Sequence, residues 1–152
     1  MTGSSGMRRA VFFDLDDTLY DQLEPFRAAL GVFGGGIGRI SADELYRRFR
    51  RHSDELWEPY RAGRLGLERM RVERIRRALA DCGFEADEGD CLRFQEAYQE
   101  GQYRIRPLPG AADCLAELAA AGCLLGVVTN GPGPHQARKL EALGIERFIP
   151  RE

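Results

Sequence analysis

The side chains best placed for chemistry are the carboxylates of Asp14-Leu15-Asp16-Asp17-Thr18, which directly follow the apolar segment Arg9 to Phe13. A short apolar run without alternation predicts a strand buried on both faces. In open α/β sheets, functional groups gather just beyond the carboxyl ends of parallel strands. Asp14 and Asp16, one residue apart, both reach one crevice if the backbone turns after the strand. Carboxylates held that close repel each other unless a cation sits between them or one takes a proton. A hard, oxygen-seeking Mg²⁺ suits such a pair and would also neutralise an incoming phosphate. Acidic residues clustered at the end of a buried strand are too costly electrostatically to be only a helix cap or loop decoration. A second strand end, Thr129-Asn130 after the apolar run Cys123 to Val128, offers neutral hydrogen-bonding groups.

The elements that must position these residues follow from periodicity. Between residues 22 and 105 the pattern is helical. Leu45, Phe49, Leu56 and Tyr60 form one stripe, with Ser41 as N-cap and Glu44 completing a capping box. Leu67, Met70, Ile75, Leu79 and Cys82 form a second, and Cys91, Phe94 and Tyr98 a third; Pro25 to Phe33 is a shorter candidate. After the break at Pro107-Leu108-Pro109-Gly110, a helix through Cys114, Leu115 and Leu118 ends at Gly122. The strand Cys123 to Val128 follows, then a turn and a helix from His135 to Leu143 that stops at Gly144. Ile145 to Ile149 is expected to begin a third strand. Strands alternating with helices predict an α/β fold with parallel crossovers.

Gly34-Gly35-Gly36-Ile37-Gly38 does not fit a phosphate loop, because no strand precedes it and no Gly-Lys-Ser/Thr follows. It is expected to be a flexible connection between helices. The arginine-rich stretch Arg69 to Arg77, interleaved with Glu68 and Glu73, is expected to be a solvated helix face.

Asp14-Leu-Asp-Asp-Thr-Leu-Tyr-Asp21, preceded by Val-Phe-Phe, resembles the first signature of the haloacid dehalogenase-like (HAD) superfamily, and Val127-Val128-Thr129-Asn130-Gly131 resembles its second. The two occur in the family's order, with a helical insert of the size of its cap between them. The stretch around Trp57-Glu-Pro-Tyr60, Gly63 and Arg74 to Leu79 is similar to a subgroup containing nucleotidase-like phosphatases. The resemblance implies a partial Rossmann-like parallel sheet core, residues 7–20 and 106–152, with an α-helical cap at 21–105 after a flexible leader at 1–6. It implies Asp14 as nucleophile, forming an aspartyl-phosphate, and Asp16 as general acid and base. Mg²⁺ would bind the Asp14 carboxylate and the Asp16 carbonyl. Thr129, with backbone N–H groups around Asn130 and Gly131, would hold phosphate oxygens, and Thr18 would position the Asp16 loop. Dehalogenases of the superfamily lack the second aspartate, so Asp16 argues for phosphate chemistry. A cap closing over the crevice would exclude water and select the leaving group.

The family's later signatures, a lysine and then an acidic pair completing the Mg²⁺ shell, have no match here. Lys139, the single lysine of the chain, lies in the helix after the second signature and is expected to point to solvent. Glu141, Glu146 and Glu152 fall too early. By the resemblance, a chain ending at Glu152 leaves Ala10 to Phe13 as an open apolar edge, a site for self-association. The expectation is a fragment, an early stop, or a chain completed by another.

The resulting functional expectation is Mg²⁺-dependent hydrolysis of a small phosphorylated metabolite, with nucleotides and sugar phosphates as candidates. A phosphomutase shares both aspartates. The other classes are a non-catalytic module that binds phosphate or Mg²⁺, and a phospho-acceptor switch, against which the large insert argues. Arg61 and Arg64 are expected on a loop as surface arginines, with contact to a distal anionic group as the alternative.

Composition bounds the remaining classes. The 152 residues carry a net charge of −2, with 43% hydrophobic and 30% charged residues, which gives no electrostatic case for nucleic acid or an anionic membrane. No apolar run has the length of a membrane span and no secretory signal is apparent. Cys82, Cys91, Cys114 and Cys123 form no C-x-x-C pair and are expected as buried or half-buried free thiols in a reducing cytoplasm.

Overall fold

Ala10–Phe13 forms strand β1 and Leu124–Val127 forms strand β2, paired in parallel with Ala10 opposite Leu124 and Phe13 opposite Val127. Backbone bonds from Leu124 N to Arg9 O (2.8 Å) and from Val128 N to Phe13 O (2.9 Å) carry the ladder past both ends. The computed structural model describes residues 9–149. The expected leader at 1–6 lies outside them, as does Glu152. The fold is α/β; the described residues form a small parallel sheet and six α-helices, with a helical insertion between the two strands. Two compact units result: the described residues up to Gln22 with those from Tyr103 onward, and Leu23–Gln102.

In the sheet-containing unit, helix α5 (Ala111–Ala120) precedes β2, and helix α6 (Gly133–Leu143) follows it. One apolar cluster joins them, with Leu15, Tyr20, Leu115, Leu125, Leu143 and Ile145 at its centre. The expectation that the first strand is buried on both faces is corrected. Its residues alternate between exposed and half-buried, and Phe12 is 68% exposed. The two strands have helices and loops against one face only, so Phe12, Leu124 and Val128 remain open to solvent among the described residues. A third strand does not form at Ile145 to Ile149. Glu146–Phe148 is a 3-10 turn, and Ile145 and Ile149 on either side of it are buried in the cluster instead of pairing with a neighbour.

The helical unit contains α1 (Leu23–Ala29), a 3-10 stretch Leu30–Arg39, α2 (Ala42–Arg61), α3 (Leu67–Ala80) and α4 (Glu88–Gly101). Ser41 caps α2, its side chain accepting from the Glu44 backbone N–H, but the Glu44 carboxylate pairs with Arg47 and Arg48 and does not close a capping box. Phe26, Phe49, Phe94 and Tyr98 are buried together, with ring centroids 5.0–6.2 Å apart in mostly edge-to-face geometry. The glycine run has local structure of its own. It sits within the 3-10 stretch, kinked at Gly34, because Leu30, Phe33 and Ile37 all bury on one side and leave the glycines outside.

The arginine stretch of α3 is only partly a solvated face. Arg76 and Arg77 hold Glu73, whose carboxyl is pulled down to about 2, chiefly by the hydrogen bond from Arg76. Arg74 instead turns inward: its guanidinium lies 4.3 Å from the Phe49 ring centre and donates to Gln95 Oε1, and burial pulls it down to about 10. His52 bridges α2 to the end of α3, with Nδ1 2.7 Å from Glu55 Oε2 and Nε2 2.8 Å from Asp81 Oδ2. All four cysteines are free. Cys91 is buried, and burial pushes its thiol up to about 11, whereas Cys114 is exposed, against the expectation of burial. No described helix is long and apolar enough to cross a membrane.

Two outcomes follow. Phe94→Ala removes a fully buried ring from the aromatic cluster and is expected to cost about 3–5 kcal/mol in urea unfolding of the chain. Because the Glu73 carboxyl is lowered on folding, its contribution is full above pH 4.5 and is lost as pH falls from there toward 2. Acid titration of stability is therefore expected to be shallower over that range in Glu73→Gln than in wild type.

Candidate active site

The turn after β1 is held from below by apolar side chains. Leu15, Leu19 and Tyr20 are buried, and Leu19 N donates to Leu15 O at 3.0 Å, which closes a tight turn. Asp17 is the only non-glycine residue at positive φ among the described residues, at 57°. Its carboxylate accepts from the Gln22 backbone N–H (3.0 Å) and from Gln22 Nε2 (3.2 Å), and this pair of bonds offsets the unusual backbone. Thus the three neighbouring carboxylates have different work. Asp17 builds the loop, Asp14 stands exposed at the end of β1, and Asp16 turns toward α6.

Asp16 Oδ1 accepts two hydrogen bonds, one from the Tyr20 hydroxyl at 2.6 Å and one from Lys139 Nζ at 2.8 Å. Lys139 is 2% exposed, so the expectation that it points to solvent is overturned. Its position on α6, nearly two turns beyond the start of the helix, faces the carboxylate loop, and an ammonium withdrawn from water requires an anionic partner. Only the docking of α6 brings residue 139 to residue 16, which spacing along the sequence does not reveal.

The second loop follows from the strand pairing. With Phe13 opposite Val127 and Val128 bonded to Phe13 O, the backbones carrying Asp14 and Thr129 leave the sheet side by side. Thr129 is half-buried, and Asn130 and Gly131 are exposed. Gln136, which sequence reasoning missed, organises them: its Nε2 donates to Thr129 Oγ1 (2.8 Å) and to Asn130 O (3.1 Å). Gln136 and Lys139 are three residues apart on α6, so a single helix face reaches both loops. That spacing was available in the sequence, but nothing there showed which face turned inward. Gly131 has φ 148°, and a Cβ there would lie 2.9 Å from Gln136 Nε2, so only glycine fits without displacing the clamp. Arg61 ends α2 and Arg64 lies in the following turn; both are exposed.

The donor set suits a hard cation in part. The Asp14 carboxylate and the Asp16 carbonyl supply oxygen on one short loop, and Mg²⁺ takes few protein ligands, keeping waters and substrate oxygens in the rest of its shell. Among the described residues no group of three His, Cys, Asp or Glu side chains is placed to hold a metal ion. The carboxylate of Asp16 is engaged with Lys139 and Tyr20, which leaves its carbonyl as the candidate oxygen donor of that residue.

Residues 8–151 match the family model for haloacid dehalogenase-like hydrolases, and the chain belongs to that family. It is 29% identical over 149 residues to the glyceraldehyde 3-phosphate phosphatase of Methanothermobacter thermautotrophicus, covering 94% of this chain and 61% of that protein. It is 27% identical over 154 residues to phosphoglycolate phosphatase 1 of Pseudomonas aeruginosa, covering 93% and 48%. The fold is similar to L-2-haloacid dehalogenase from Xanthobacter autotrophicus with chloropropionic acid covalently bound, at TM-score 0.66 and 24% identity, over 94% of this chain and 55% of that one. The chain thus spans about half to three fifths of the length of these proteins.

Gly131→Ala tests the local geometry. It forces a side chain into a left-handed backbone and against Gln136, and is expected to destabilise the chain by about 1–3 kcal/mol in denaturant titration.

Proposed function

We propose that this chain carries the nucleophile, the acid–base group and the phosphate-binding loop of a phosphomonoester hydrolase. The observation that carries this reading is the presence of Asp16, anchored by Lys139 and Tyr20 beside the Asp14 end of β1. A carboxyl group at that second position can move a proton to and from oxygen, which ester hydrolysis needs and carbon–halogen cleavage does not. The phosphatase relatives support the same side of the family.

In the proposed reaction an Asp14 carboxylate oxygen attacks phosphorus and the bond to the ester oxygen breaks. Asp16 enters this step in its protonated form, not as the ion pair with Lys139; the departing oxygen takes its proton, leaving an aspartyl-phosphate and a free alcohol. Asp16, now ionised, takes a proton from water as that oxygen attacks phosphorus. Inorganic phosphate leaves, Asp14 is regenerated and Asp16 is again protonated. Thr129 and the N–H groups around Asn130 and Gly131 orient phosphate oxygens through both steps. Mg²⁺, when bound by the Asp14 carboxylate and the Asp16 carbonyl, would offset the charge shared by carboxylate and phosphate. The helical stretch at 21–105 takes the place in the chain of the family's cap. Four free thiols are in keeping with a reducing, cytoplasmic setting. Small phosphorylated metabolites are the substrate class.

The test is hydrolysis of p-nitrophenyl phosphate with Mg²⁺, with EDTA, and by Asp14→Asn. Turnover that EDTA abolishes and that falls at least about a thousandfold in the variant is expected. Equal turnover by Asp14→Asn would overturn the assignment of the nucleophile.

A further inference from the structure

Lys139 is the only lysine of the chain, and at 2% exposure it is less exposed than the buried Gln22, Glu73 and Gln136. An ammonium on a helix normally extends its long stem into water; withdrawing it is costly, and an anionic partner offsets that cost. Here it meets Asp16 Oδ1 at 2.8 Å, while the Tyr20 ring lies 5.5 Å from Nζ and the Tyr20 hydroxyl binds the same carboxylate oxygen at 2.6 Å. Two donors on one oxygen, one from the carboxylate's own loop and one from α6, fix the rotation of the Asp16 carboxyl group about its Cβ–Cγ bond. Tyr20 is itself immobilised, with no exposure at all. The same face of α6 holds the Thr129 loop through Gln136, so the helix ties both catalytic loops to one rigid element.

We propose that Lys139 is a positioning residue for Asp16, acting with Tyr20 to hold its carboxyl group at the angle from which the proton is passed. This rests on the hydrolase reading above. The group is a compact point charge, with less directional demand than the planar fork of an arginine, so replacement by arginine would keep the charge and shift the geometry.

The experiment uses the full chain. Steady-state hydrolysis of p-nitrophenyl phosphate is compared for wild type, Lys139→Met, Lys139→Arg and Tyr20→Phe, with circular dichroism as the folding control. Misplaced catalytic groups lose rate rather than binding, so Lys139→Met is expected to lower kcat by about tenfold to a hundredfold with KM within about threefold. Lys139→Arg recovers part of kcat, and Tyr20→Phe shows a smaller loss of the same kind. A folded Lys139→Met variant with wild-type kcat overturns the proposal, as does a loss confined to KM. Because the chain has one lysine, 13Cε/15Nζ-lysine labelling gives a single side-chain signal. Its displacement in Asp16→Asn is expected, and an unmoved signal overturns the proposal even where Lys139→Met does not fold. Absence of turnover in wild type would instead sink the hydrolase reading, leaving the contact itself to be decided by the lysine signal.

Discussion

The in-register parallel pairing of β1 with β2 is the constraint on which everything else depends. The two loops that carry the candidate chemistry are separated in sequence by the entire helical unit, and only the ladder from Ala10–Leu124 to Phe13–Val127 brings their starting points level. A slip of one residue would turn each side chain to the opposite face and move the carboxylate and hydroxyl loops out of step. The backbone bond from Val128 to Phe13 extends the register to the last residue before each loop. Leu125 from β2 and Leu15 from the turn bury in the same cluster, so the apolar core and the strand register enforce one another.

Above that frame the problem is electrostatic. Three acidic side chains leave the sheet within four positions, and mutual repulsion would open the turn if all three faced the same way. They are separated by partner: Gln22 for Asp17, Lys139 and Tyr20 for Asp16, and solvent for Asp14. Asp14 and Asp17 are both exposed, but the Asp17 carboxylate is taken up by Gln22. The buried ammonium therefore serves the fold and the site at once. It compensates charge in the acidic turn after β1, and it engages one carboxylate oxygen of Asp16.

Much of this was legible in the sequence because it rests on local pattern. The strand and loop of each signature, the helical stripes of α2, α3 and α4, and the stop at Gly144 follow from periodicity and turn chemistry. What escaped were the facts settled by tertiary contact. Lys139 and Gln136 occupy an ordinary amphipathic helix, and only its docking shows that they face inward. Arg74 sits among solvated arginines yet stacks on Phe49. Ile145 to Ile149 has strand composition, but burial against α5 and α6 bends it into a 3-10 turn. Phe12 reads as a two-face core residue and is exposed, since burial on the second face requires a neighbour that composition cannot supply.

The family is established by the match over residues 8–151, while the chemistry within it rests on Asp14 becoming phosphorylated. The most direct measurement is to quench the chain in acid during reaction with a phosphomonoester and Mg²⁺, treat it with hydroxylamine, and map the product by peptide mass spectrometry. An acyl phosphate yields a hydroxamate at the residue that carried it, and the account predicts that residue to be Asp14. Turnover with no modification at Asp14, or with the hydroxamate at another carboxylate, would contradict it.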